Sequence, residues 1–167
     1  MGMIAGYCSR GDAVDIEGFR RRLETFHVLP GDDPGSYSHL LWRSPGSCVM
    51  AKFKEDAPPQ IRHRDGTDVA LVTLGFHDVD YGPSGQTAGL ERGASAFEAL
   101  AGQVGRSEGE FVSFVLDHRT GQVRIINDRF AVRPLYVLEA AEGVAFSSNL
   151  AFLLHMTGHR PAPDPLA

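Results

Sequence analysis

The sequence predicts an α+β domain in which antiparallel strands carry about three helices on their sheet faces. Two consecutive hairpin patterns, Phe111 to Ile126 and Leu135 to Phe146, supply the antiparallel strands. Three stretches with helical spacing of apolar residues each follow a residue suited to capping: Asp15, Ser95 and Ser148. The chain has 167 residues, 43% hydrophobic and 22% charged, which is ordinary globular composition at single-domain length.

Met3 to Tyr7 reads as a short apolar strand. Asp15 then caps a helix whose Ile16, Phe19, Leu23 and Phe26 share one face, with Arg20 to Arg22 as its solvated side. Leu29 to Ser36 is turn-rich. Tyr37 to Trp42 and Cys48 to Phe53 are strands around Ser44-Pro45-Gly46-Ser47, a run of turn formers. Lys54 to Asp65, polar and containing Pro58-Pro59, reads as a surface excursion. Asp68 to Leu74 is an apolar run of strand length, and the breaker-rich stretch Gly75 to Gly93 follows it. Ser95-Ala96-Phe97-Glu98 is a capping box, opening a helix that buries Phe97, Leu100, Ala101 and Val104. After the two hairpins, Ser148 caps a last helix carrying Leu150, Leu153 and Leu154, which Gly158 ends. Arg160 to Pro165 is proline-rich, with linker character.

Composition excludes several functions. No apolar run approaches the roughly 18 residues that span a bilayer, and no signal-peptide pattern opens the chain, so a cytoplasmic protein is expected. A net charge of −5 argues against nucleic-acid binding, which needs a basic face. Cys8 and Cys48 do not make a disulfide framework. His155 and His159 have i, i+4 spacing but Gly158 lies between them, and no metal site is expected. His77, Asp78 and Asp80 read as solvated loop residues rather than an acid/base cluster.

From Gly109 onward the chain resembles the N-terminal glutaminase domain of asparagine synthetase-like enzymes. Gly109-Glu110-Phe111 leading to Asp117 stands against the family's G-x-F-A-F…D. Asn127 to Tyr136 (NDRFAVRPLY) stands against R-D-R-F-G-I-K-P-L-Y, and Phe146-Ser147-Ser148-Asn149-Leu150 against F-A-S-E-I. Met1 to Gly6 (MGMIAG) resembles the opening M-C-G-I-A-G. The resemblance implies a class II glutamine amidotransferase fold, the four-layer αββα sandwich of Ntn hydrolases. Read from the residues alone, Asp128, Arg129, Phe130, Arg133, Pro134 and Tyr136 form a structural motif. In it Asp128 and Arg129 can satisfy each other or organise a backbone turn.

Glutaminases of this class attack with the thiol of the residue after Met1, whose own α-amine acts as base. The aligned residue here is Gly2, which has no side chain. The family's H-R-G-P-D loop, whose arginine holds the substrate carboxylate, corresponds to His27 to Asp32, without an arginine. Its oxyanion motif N-G-E corresponds to Leu74-Gly75-Phe76, where leucine donates nothing to developing charge. The aspartate that binds the substrate amine falls near Ala96. Catalytic residues are thus expected to be absent, with Phe76 and Ala96 as candidates for lining a vestigial pocket.

The resemblance implies a pseudo-glutaminase, as in β-lactam synthetases and lasso-peptide cyclases. Residues 1–158 would form the glutaminase-like domain, and 159–167 a linker towards a C-terminal synthetase domain or separate ligase subunit. With Gly2 in place of the nucleophilic cysteine, the resemblance leaves open whether the chain has an activity of its own and points to an ATP-dependent amide ligase as the parent complex. No S-G-G-x-D-S or G-x-x-x-x-G-K-[ST] loop is present, so ATP and Mg²⁺ are expected only on the partner, and no cofactor in this chain. A homo-oligomer is compatible with the sequence. Two alternatives stand beside this reading: an active glutamine amidotransferase supplying ammonia, and a binding module reusing the vacated pocket.

Overall fold

The computed structural model describes residues 2–11, 15–44, 46–56, 58–63, 68–78 and 95–160. The linker residues 161–167, Met1 and Asp80 lie outside the described residues.

Strand β1 (Gly2–Ser9) lies at the centre of a five-stranded antiparallel sheet with β2 (Ser38–Ser44), β3 (Ser47–Phe53), β8 (Tyr136–Ala140) and β9 (Gly143–Ser147), in the order β2-β3-β1-β9-β8. A second antiparallel sheet has the order β4-β5-β6-β7, from β4 (Gln60–His63), β5 (Val69–His77), β6 (Gly109–Asp117) and β7 (Val123–Asn127). Helices α1 (Ile16–Thr25) and α3 (Leu150–Thr157) cover the outer face of the first sheet, and α2 (Ala96–Val104) that of the second.

Strand periodicity builds these layers. In β1, Met3 and Ala5 join Phe19, Leu23, Phe152 and Met156 beneath the helices, whereas Ile4 faces the other sheet. There it joins Val49, Ala51, Val72, Leu74, Val112, Phe114 and Phe146 in the core between the sheets. Phe97, Leu100, Ala101 and Val104 of α2 pack on Leu71, Phe111 and Val115. The result is the αββα sandwich expected for an α+β Ntn-hydrolase-like domain. Gly6 is required at its position. A Cβ there would stand 2.2 Å from the Phe146 ring, which stacks on Phe114 at 5.1 Å.

Several elements depart from expectation. The excursion after Lys54 contains β4, a four-residue edge strand that begins directly after Pro59, where proline's missing N–H leaves the ladder intact. β5 continues through Gly75 to His77 because β6 supplies a partner for each residue. The cap of α3 is Asn149, whose Oδ1 accepts from Phe152 N at 3.0 Å, rather than Ser148. The buried residues of α3 are Phe152, Leu153 and Met156, while Leu150 is exposed. Ser95 caps α2 as expected, but the Glu98 carboxylate pairs with Arg124 at 2.7 and 3.0 Å.

Lys52 sits in the middle of β3 and is fully buried. Its ammonium donates to the carbonyls of Leu23, Glu24 and Phe26, each at 2.9 Å. These carbonyls end α1, which has no C-terminal glycine; Leu23 O also accepts from Phe26 N at 3.2 Å, so Lys52 and that bond together cap the helix. Burial lowers its pKa, with Glu24 and Asp33 pushing it back up.

Candidate functional site

The position that the resemblance gives to the nucleophile is the first residue of β1. Gly2 pairs with Phe53 of β3 and falls on the face of β1 turned towards the second sheet. A Cβ on Gly2 would lie 3.1 Å from Lys52 O, 3.2 Å from Phe53 Cβ and 3.3 Å from Leu74 Cδ2. Leu74 therefore crowds the Cβ position of residue 2 together with Lys52 O and Phe53 Cβ. Beside them opens a cavity of about 330 Å³, lined by Gly2, Leu74, Glu110, Val112, Val132, Arg133, Pro134 and Ser148.

Three devices hold this corner. Ser148 fastens β1 to β9: its Oγ accepts from Ile4 N at 2.9 Å, and its own N–H donates to Ile4 O at 2.8 Å. Asp128, only 4% exposed, organises the turn that carries Val132 and Arg133 to the cavity. Its carboxylate accepts from the backbone N–H groups of Phe130, Val132 and Arg133 at 3.0, 3.1 and 3.3 Å. Burial alone would raise the carboxyl pKa, but these donors outweigh it and hold Asp128 below the usual carboxylate range. The turn is thus organised by Asp128 and backbone, and Arg129 stacks over Phe130 with its guanidinium 5.8 Å from the ring centre. Ala131 in this turn has φ +50°, a conformation that costs a non-glycine residue about 1 kcal/mol.

The third device is Gly75, at φ +99°. A Cβ there would be 2.0 Å from Glu110 O and 2.6 Å from Arg133 Nε. Glycine lets the Arg133 side chain cross β5 and donate from Nε to Glu110 O at 3.2 Å. Arg133 is the one cation and Glu110 the one anion among the described lining residues.

The other expected positions lie away from the cavity. Phe76, a vestigial-pocket candidate, is 59% exposed and does not line it. Ala96, the second candidate, opens α2 and packs against the cluster on the far face of the second sheet, so sheet β5-β6 separates it from Gly2. In the segment that aligns with the carboxylate clamp, His27 Nδ1 lies 2.6 Å from Asp32 O, and Val28 is buried. The Tyr37 hydroxyl donates to the Asp32 carboxylate. None of residues 27–32 lines the cavity. His77 is not a solvated loop residue: it ends β5 half-buried, 3.2 Å from Thr73 Oγ1 and edge-on to Phe111. Asp78 accepts from Glu108 N at 2.8 Å.

Neither thiol serves the site. Cys8 lies six residues along β1 from Gly2, roughly 20 Å away. Cys48 pairs opposite Tyr7 and is 1% exposed. The two cysteines fall on opposite faces of the sheet, since Cys48 joins the helix-side core and Cys8 the core between sheets. Burial pushes the Cys48 thiol up to about 12, with Cys8 adding to it, and burial raises Cys8 as well. Both stay protonated, and so weakly nucleophilic, at neutral pH. Among the described residues, no three of His, Cys, Asp and Glu meet as a metal set, and no helix is long and apolar enough to cross a membrane.

Gly2 and Leu74 line one cavity, and Glu110, Ser148 and Arg133 line it beside them, although the residue types of Glu110 and Ser148 carry no sign of it and Arg133 reads from sequence as scaffold. The signal was in the DRF…RPLY run: an arginine beside a proline that forces the chain to turn.

Residues 87–155 match the family model described as glutamine amidotransferase domain, a stretch that is less than half of the chain and spans α2, β6 to β9 and the Asp128 turn. No curated protein matches the chain. Two antiparallel sheets between helical layers, together with this match, support a glutamine amidotransferase domain here.

Proposed function

We propose that the chain is a glutaminase-like domain that has lost glutamine hydrolysis and acts as a structural and interaction part of an asparagine synthetase-like, ATP-dependent amide-forming ligase. The observation that carries this reading is the Gly2–Leu74 contact: the nucleophile's place holds no side chain, and a leucine methyl stands 3.3 Å from where a Cβ would begin. Attack on an amide by this class needs a thiol and an α-amine on one residue, together with a donor for the oxyanion. Gly2 supplies at most the amine, and Leu74 supplies no donor.

Such a domain suits a ligase whose attacking amine is part of its own substrate, as in closing a peptide or antibiotic ring. Ammonia from glutamine would then be redundant. ATP and Mg²⁺ would bind a synthetase partner, reached through residues 159–167 or as a separate subunit, in the cytoplasm. A second reading has its own observation. The cavity beside Gly2 is still open at about 330 Å³ and presents Arg133 and Glu110, so it can hold a small polar ligand. Incubation of the chain with glutamine tests the main reading. No glutamate or ammonia above a blank is expected, and turnover abolished by blocking the α-amine would restore the active amidotransferase.

A further inference from the structure

Strand β8 closes one side of the first sheet, and among the described strands only β9 pairs with it. The turn between them consists of Ala141 and Glu142 and closes on Ala140 opposite Gly143. The closing pair of such a turn is hydrogen-bonded, and bonded pairs then alternate along the ladder. Tyr136, Leu138 and Ala140 therefore turn their backbone N–H and C=O groups towards β9, while Val137 and Glu139 turn theirs outward. No other described segment takes up those outward groups.

The other edges of the sandwich are guarded. β2 exposes His39 and Arg43, β4 is four residues long and follows Pro59 directly, and Arg124 of β7 is exposed and pairs with Glu98. β8 contains no proline, lysine or arginine. Of the large apolar side chains exposed among the described residues, only Val137, at 53%, lies on an edge strand. Tyr136 and Leu138 pack on the helix side of the sheet, so Val137 and Glu139 take its other face.

Outward N–H and C=O groups are satisfied by another strand, and the side chains of β8 suit a second copy of itself. When two identical strands pair antiparallel, the two-fold axis passes beside one residue, which then faces its own copy. With the axis at Glu139, two carboxylates oppose each other. With the axis at Leu138, Val137 opposes Glu139 of the second copy. With the axis at Val137, valine opposes valine on one face, and Tyr136 opposes Leu138 of the second copy on the other. Only this last register sets Val137 against an apolar neighbour and keeps the carboxylates apart. It also lets Val137 N–H donate to the Val137 C=O of the second copy and accept the same bond in return.

We infer that β8 is a self-association edge: two copies of this chain join antiparallel across Val137, so that their five-stranded sheets become one continuous sheet. The contact is short, and the dimer is accordingly weak and concentration-dependent. The inference is independent of the pseudo-glutaminase reading, because none of Tyr136 to Ala140 lines the Gly2 cavity.

Sedimentation velocity of the whole chain and oxidative cross-linking test it together. A monomer–dimer equilibrium is expected to develop as the chain is concentrated to about 0.5 mM. Val137→Lys sets two ammonium groups against each other and is expected to leave only monomer, with an unchanged thermal midpoint because the position is exposed. Val137→Cys places the two Cα atoms about 5.5 Å apart in the dimer, within disulfide reach, so copper–phenanthroline should give a covalent dimer. In Glu139→Cys the two positions stand roughly 13 Å apart along the ladder, and cross-linking should stay at the level of the parent, whose own cysteines set the background. The proposal is overturned if the chain stays monomeric up to about 0.5 mM, or if Val137→Lys dimerises like the parent. It is equally overturned if Val137→Cys cross-links no more than Glu139→Cys.

Discussion

Replacing Asp128 by alanine removes the acceptor of three backbone N–H groups at once. A buried donor left without a partner costs about 1–3 kcal/mol. Phe130 is 81% exposed, so water can reach part of the turn, and the low end applies to each bond. The sum is about 3 kcal/mol, which at a urea dependence of about 2 kcal/mol per molar lowers the unfolding midpoint by roughly 1–2 M. Asp128→Asn keeps an oxygen for Phe130 and Val132 but turns an NH₂ towards Arg133 N–H, so its loss should be smaller but clear. The effect has a pH signature. The folded pKa of Asp128 lies below the usual carboxylate value, so its contribution is complete above the unfolded pKa near 4 and disappears as pH falls through the folded value. The gap between parent and Asp128→Ala should therefore narrow in acid. A variant within about 0.5 kcal/mol of the parent, or a gap indifferent to pH, would mean that the Asp128 carboxylate does not hold the turn.

Other substitutions check the packing and the strain. Gly6→Ala drives a Cβ into the Phe146 ring and Cys48 O, and urea unfolding should show a loss of at least about 2 kcal/mol. Ala131→Gly relieves the φ +50° backbone and should raise stability by up to about 1 kcal/mol, read as a higher thermal midpoint. Lys52→Met takes the ammonium donor from the Glu24 and Phe26 carbonyls at the end of α1, while Leu23 O keeps its bond from Phe26 N–H, and should cost about 2–4 kcal/mol, with faster hydrogen exchange confined first to that helix end.

The sequence made the layers legible because periodicity and caps are local. Phe97, Leu100, Ala101 and Val104 follow from spacing behind Ser95, and structure buries all four. Lys52 was not legible, since its partners are backbone carbonyls some 26 to 29 residues earlier and a lysine inside an apolar strand carries no sign of them. β4 escaped for a related reason: four residues beside two prolines are too short to show alternation. Ser148 satisfied a local capping rule, yet its long-range bonds to Ile4 left the cap to Asn149. At the site, motif letters name Gly2, Leu74, Phe76 and Ala96; the structure brings Gly2 and Leu74 together and sets Phe76 and Ala96 apart from them, because which face of a sheet a residue takes depends on strand ends and registers that motif letters do not encode.

If the Gly2 corner performs no glutamine hydrolysis, a steady-state assay of glutamate and ammonia release will show it. The purified chain, and Gly2→Cys in which Leu74 still crowds the new side chain, should both release neither product above the blank. Sustained release by the unmodified chain, lost when its α-amine is blocked, would instead make this an active amidotransferase.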